Sequence, residues 1–224
     1  MLDADDYWKP EYLERVAALI GRYPGCGLYS MGFEVHRPEG VFPNETVMQE
    51  GIVGNYFRTA MRVNLTQTSS VTIPRAVFER LGGFPEGMKL GEDQYVWTKI
   101  ARTYPVCYSP QRFSEFNLMA QNRSAQNYKM ERTPYSFWEF YDPGTPDCNE
   151  YIARCEIGKA LVHSVYGYTD AALEVERRYS YNRHYRLGWW KLRILNRLPV
   201  MWRRPLLDSY KRVTWLVSKK GLLG

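Results

Sequence analysis

Asp3-Ala4-Asp5-Asp6-Tyr7-Trp8-Lys9-Pro10 puts three carboxylates within four residues, at what reads as a strand end just ahead of a helix. Acids this close repel one another unless a cation sits among them. A hard divalent ion held by one or two carboxylates plus substrate phosphates is one arrangement that satisfies them. The same residues also fit a plain helix entry, because Asp is favoured at N-caps and Pro at the first helical position. On this stretch alone both readings stand.

Working outward, Leu13, Val16, Ala17 and Ile20 follow helical spacing, and the glycines from Gly21 to Gly27 with Pro24 end that helix. Gly27-Leu28-Tyr29-Ser30-Met31 reads as a short strand, residues 36 to 50 as an exposed loop, and residues 51 to 62 as a helix. Thr68 to Ile73 is strand-like. Pro74 then opens a helix with Val77, Phe78 and Leu81 turned inward and Gly82-Gly83 at its end. Gly91-Glu92-Asp93 precedes a further helix carrying Val96, Trp97 and Ile100, and Pro105-Val106-Cys107-Tyr108 returns as a strand. The alternation predicts a mixed α/β domain over residues 1–133. The Pro-, aromatic- and acid-rich stretch 134–150 reads as a linker, and 151–224 as a helical, basic C-terminal region.

The 224-residue chain is 45% apolar and 24% charged, enough for a sizeable core without a staple. No run approaches the roughly 18 to 20 apolar residues of a membrane span, and the acidic start is unlike a signal peptide, so the expected location is cytoplasmic. Cys26, Cys107, Cys148 and Cys155 show neither a CxxC pair nor metal-ligand spacing with the three histidines, which argues against a zinc site or a disulfide scaffold.

Glu92-Asp93 taken alone again fits helix capping, since acids at a helix N-terminus are favoured by its dipole. The ordered set is more specific: Asp3-Ala4-Asp5-Asp6-Tyr7-Trp8 with Pro10, Ser69-Ser70-Val71, Phe78-Glu79-Arg80-Leu81-Gly82-Gly83-Phe84, Gly91-Glu92-Asp93 with Trp97, then Tyr104-Pro105-Val106. In this order and spacing, residues 1 to about 125 resemble the inverting glycosyltransferases of family 2, which have the GT-A fold. The resemblance implies an α/β, partial GT-A fold with a mixed sheet. It implies transfer of a sugar from a nucleotide-sugar donor, a UDP-sugar being the commonest, to a glycan or lipid-linked acceptor in surface polysaccharide or glycolipid synthesis.

Residue by residue, Asp3-Ala4-Asp5 matches the family's DXD motif, with Asp5 the metal ligand, Asp3 nearer the nucleotide and Asp6 a helper on the donor side. The implied ion is Mg2+ or Mn2+. Asp93 matches the catalytic base, with Glu92 shaping the site beside it. Ser69 and Trp97 fall toward the acceptor, although core packing is the competing role for Trp97. Arg123 falls where related enzymes place a loop over the donor diphosphate, and a solvated loop arginine is the alternative. The QxxRW motif of processive members is absent, which favours a single-sugar transferase. Complete members carry roughly 80 to 100 residues of nucleotide-binding half before the DXD motif. The expectation is therefore a fragment, half of a split enzyme or a non-catalytic remnant, with an unsatisfied edge on a parallel-type sheet.

The charge is uneven. Residues 181 to 224 carry eleven Lys or Arg against the single acid Asp208, a net +10, which leaves −4 for the rest of a chain whose total is +6. Leu187, Trp190, Ile194 and Leu198 form one apolar stripe, and Leu206, Tyr210, Val213 and Val217 a second, interrupted by Pro199 and Pro205. Three uses fit this pattern: docking on the anionic inner face of a membrane, packing onto the protein, and phosphate-backbone contact, for which no nucleic-acid motif speaks.

Overall fold

The computed structural model describes residues 1–44, 48–88, 91–119 and 135–219, with side chains described as far as residue 209. They fall into two compact units, Met1–Tyr151 and Ile152–Gly224. In the first, a six-stranded mixed sheet is built on two long parallel strands, β2 (Leu28–Arg37) and β6 (Val106–Asn117). Four shorter strands pair with them, all antiparallel. On one side of β6 lie β1 (Tyr7–Trp8) against its C-terminal half and β4 (Gly51–Ile52) against its start. On the far side of β2 lie β3 (Gly40–Pro43) and β5 (Val71–Thr72). Both central strands are thus paired on both sides, and β1, which follows the acidic residues, lies at one edge of the sheet.

Helix α1 (Tyr12–Arg22) covers one sheet face. Val16 and Tyr12 pack on Met31 of β2, and Leu19 packs with Cys26, Tyr29 and Cys107. Its buried face is Tyr12, Val16 and Leu19, one step round from the expected stripe, so Leu13 and Ile20 are exposed. Burying each such side chain contributes about 2 kcal/mol. Trp8 stacks on Tyr12 with ring centroids 4.2 Å apart, which ties β1 to this helix. Gly27, leading into β2, has no room for a side chain: a Cβ there would lie 2.4 Å from Tyr104 Cβ.

Several expectations need correcting. Residues 36 to 50 are not simply a loop, because His36–Arg37 turn back through Gly40 into β3 as a hairpin. The helix expected over 51–62 is only α2 (Tyr56–Ala60), capped by the Asn55 side chain, which accepts from the Arg58 amide. The stretch 68–73 begins with a 3-10 turn, Thr68–Ser70, before β5. The helix after Pro74, α3 (Arg75–Arg80), leaves Val77, Phe78 and Leu81 only half-buried, with Gly82 and Gly83 at positive φ closing it. The expected linker is packed structure. A 3-10 helix, Phe137–Phe140, buries Phe137 and Phe140 against Tyr95 of α4 (Glu92–Thr103), and the Tyr95 hydroxyl donates to Glu139 at 2.5 Å. Aromatic area, not linker composition, decided that segment.

Helix α5 (Pro146–Val165) runs on from the first unit into the second, where α6 (Thr169–Arg178), α7 (Arg186–Asn196) and α8 (Val200–Lys219) follow. α6 and α7 are clasped through buried Glu176, whose carboxylate accepts from Asn196 and Arg197 while its carbonyl accepts from Trp189 Nε1. Arg203 of α8 is buried and donates to Ser164 and Thr169. Pro205 sits inside α8 instead of breaking it. The side chains of Tyr210, Val213 and Val217 lie outside the described residues.

Candidate functional site

Residues 3 to 6 form a tight turn closed by the Asp6 amide donating to the Asp3 carbonyl at 3.1 Å. The turn sorts its acids by exposure: Asp3 faces solvent, Asp5 is half-buried and Asp6 is buried. A buried carboxylate must be hydrogen-bonded or lose its charge. Asp6 meets that demand within the protein. Its Oδ2 accepts from Gln67 Nε2 at 2.9 Å and from Ser69 Oγ at 2.6 Å, and its Oδ1 from the Asn117 amide at 2.9 Å. Ser69 Oγ in turn accepts from the Asp3 amide at 3.0 Å, and the Ser69 carbonyl accepts from Trp8 Nε1 at 2.6 Å. A reciprocal capping box between Gln67 and Ser70 rigidifies the same turn. The first acidic segment is therefore welded to residues 67–70.

The second acidic segment reaches that turn from α4. Gly91 caps the helix at φ +78°, a left-handed conformation that glycine adopts without strain, and so places Glu92 and Asp93 on the first helical turn. Acids there are favoured by the helix dipole. Asp93 Oδ1 accepts from the Gln94 amide at 2.6 Å, and the carboxylate also accepts from the Thr68 hydroxyl. Burial nevertheless pushes the Asp93 carboxyl above its ordinary range, these hydrogen bonds only partly offsetting it. Glu92 is raised as well, by burial first and then by the charges of Asp93 and Asp3. Asp3 is raised by partial desolvation and then by Asp6, Asp5 and Asp93.

The two acidic segments thus feel each other across the Thr68-Ser69 turn, although they are far apart in sequence. Among the described residues, no Lys or Arg forms an ion pair with any of the five acids. Nor do the described residues contain a ready-made cluster of three His, Cys, Asp or Glu arranged for a metal. With the Asp6 oxygens already engaged, Asp3 and Asp5 are the carboxylates left to meet a cation. A pair of hard oxygen donors fits an ion whose remaining positions are filled by water and phosphate.

Of the remaining residues singled out in the sequence, Ser69 is fully buried as the pin between Asp3 and Asp6. Trp97 is fully buried and packs against Phe84, with ring centroids 6.3 Å apart. Neither side chain is open to an acceptor. Arg123 lies outside the described residues. Gln67, Thr68 and Asn117 escaped the sequence reading. The Gln67/Ser70 spacing was the one local signal for the first two, while the contribution of Asn117 is a backbone amide that no side-chain pattern announces.

No protein-family model matches the sequence, and no curated protein does. Solved structures do. The chain superposes on residues 1–349 of S. aureus TarS in complex with UDP-GlcNAc with a TM-score of 0.53, at 15% identity, over 94% of this chain and 66% of that one. The fold is GT-A-like, with a six-stranded mixed sheet and helices. TarS 1–349 in complex with UDP matches with a TM-score of 0.51 at 13% identity, over 94% of this chain and 65% of TarS. The chain spans about two thirds of the TarS chain it matches.

Proposed function

We propose that this chain carries the sugar-transfer site of an inverting glycosyltransferase of the family 2 type, taking a UDP-sugar as donor and a hydroxyl of a glycan or lipid-linked glycan as acceptor. The observation that carries the reading is the joining of Asp3 and Asp6, on either side of Asp5, to Asp93 through the Thr68-Ser69 turn, in a fold shared with a protein solved with UDP-GlcNAc. Asp93 takes the acceptor hydroxyl proton as that oxygen attacks the anomeric carbon. The new C–O bond forms on the face opposite the leaving group, the bond from the anomeric carbon to the diphosphate oxygen breaks, and UDP departs. A carboxylate whose pKa is raised by burial is a stronger base than a solvated one, which suits it to this task. Glu92 shapes the acceptor side, and Asp6 positions Asp3 and Asp5 without touching substrate. Asp5, with Asp3 nearer the nucleotide, would hold Mg2+ or Mn2+, which when bound neutralises charge on the departing diphosphate.

Calorimetric titration with UDP, with and without Mn2+, tests this reading. Metal-dependent binding that disappears in Asp5→Ala is the expected result. Absence of UDP binding by the parent chain, or binding indifferent to both metal and Asp5, would overturn it.

A further inference from the structure

Helix α7 has two apolar faces, and among the described residues only one is buried. Trp189, Leu192 and Leu195 are buried, with Trp189 Nε1 bonded to the Glu176 carbonyl of α6. The other face is the stripe noticed in the sequence. Leu187, Trp190 and Ile194, at i, i+3 and i+7, are 78%, 47% and 53% exposed. The first turns of α8 add Val200, Met201, Trp202 and Leu206, all exposed. Beside them lies an open groove of about 540 Å³ lined by Trp202, Pro205 and Leu206 together with Leu198, Pro199 and Ser209. Isolated apolar residues on a surface need no explanation, but seven within twenty residues of sequence do.

The charges around this surface identify what covers it. From 181 to 209 the only acid is Asp208, against seven Lys or Arg. Some of these are engaged internally: Arg203 is buried, Arg197 is paired with Glu176 at 2.9 Å, and Arg186 donates to the Ser180 and Asn182 carbonyls. Others remain at the rim. Arg193 lies over the Trp189 and Trp190 rings at 5.2 and 5.3 Å, and Arg204 is exposed on the first turns of α8. A nucleic acid would engage the cations and Trp rings but would leave Leu187, Ile194 and Met201 in water. A surface both apolar and anionic satisfies all of them.

We infer that the outer face of α7 and the start of α8 form an interfacial docking surface for an anionic lipid bilayer, with the apolar stripe seated among the acyl chains and the cations among the headgroups. No described helix is long and apolar enough to cross a membrane, so the surface lies on the bilayer.

Flotation of the full chain with phosphatidylcholine vesicles, with and without phosphatidylglycerol, tests this directly. The chain floats with anionic vesicles and much less with neutral ones, and high salt weakens the binding. Leu187→Ser/Trp190→Ser/Ile194→Ser lowers partitioning at least tenfold, by the loss of buried apolar area. Arg204→Gln lowers it about fivefold. The second variant touches only surface charge and decides the matter should the first fail to fold, which circular dichroism reports. Failure of the parent to bind anionic vesicles, equal binding to neutral ones, or unchanged binding by the charge variant would overturn the inference. So would self-association through the same face in place of lipid binding, seen as a dimer of the parent that the apolar variant abolishes.

Discussion

Replacing Asp6 by asparagine probes the joint on which the candidate site hangs. Asp6 is 5% exposed and accepts three hydrogen bonds, from Gln67 Nε2, Ser69 Oγ and the Asn117 amide. Asparagine keeps one acceptor oxygen for the Asn117 amide. Its amide nitrogen then faces Gln67 Nε2, donor against donor, and the Ser69 hydroxyl, which donates to Asp6, loses the acceptor for its proton. Hydrogen bonds to a charged group are each worth about 1.5–3 kcal/mol, and a buried donor left unpaired costs about 1–3 kcal/mol. Asp6→Asn is therefore predicted to destabilise the fold by about 3 kcal/mol, seen as a lower urea midpoint with an unchanged slope. In a double-mutant cycle with Ser69→Ala, the two changes are predicted to couple by about 1–2 kcal/mol, because each removes the partner of the other. A loss under about 0.5 kcal/mol for Asp6→Asn, the range of ordinary surface changes, would refute the claim that the turn is held by this carboxylate.

Other outcomes follow from the same structure. Gly27→Ala forces a methyl to within 2.4 Å of Tyr104 Cβ and 2.9 Å of Ile100 Cγ2 and should cost about 1–3 kcal/mol in chemical denaturation; a neutral result would mean that the approach of α4 to β2 is loose. Burial, and then Lys159, push the His163 imidazole down to about 4. The folded ring stays neutral where the unfolded one, near 6.5, takes a proton, so stability falls as pH drops from about 6.5 towards 4. The loss is about 2 kcal/mol after allowance for solvent, and His163→Gln should flatten that slope. Because burial raises Asp93 and the Thr68 hydroxyl bond lowers it, the acid limb of turnover should lie above the ordinary carboxylate value of about 4 and move to higher pH in Thr68→Ala. A limb unmoved by that change would separate Thr68 from the base.

What could be read from the sequence was local. The helices after Pro10 and Gly91 showed themselves by 3.6-residue spacing, and the two acidic segments by their crowding. Illegible were features that depend on a partner segment and not on their own pattern. Gly40–Pro43 becomes a strand because β2 offers it an edge, and Phe137–Phe140 packs because Tyr95 gives it a surface. Trp97 showed the limit of expecting a role from position in the sequence: helix geometry turns it into the core. The stripe on α7 was visible as a pattern, but only the exposure of its residues separated an outward face from a packed one. In the candidate site, the crowding of the acids could be seen in advance. The pins between them could not, because Ser69 and Asn117 act through bonds spanning 63 and 111 residues.

The central claim is that Asp93 removes the acceptor proton in a site that holds a UDP-sugar independently of it. Its most direct test is to compare the parent chain with Asp93→Asn for UDP release from UDP-GlcNAc and, in parallel, for UDP affinity by calorimetry. The account predicts that the variant keeps UDP affinity within about threefold and loses at least about a hundredfold in turnover, the contribution of a positioned general base. Turnover unchanged in Asp93→Asn would contradict it.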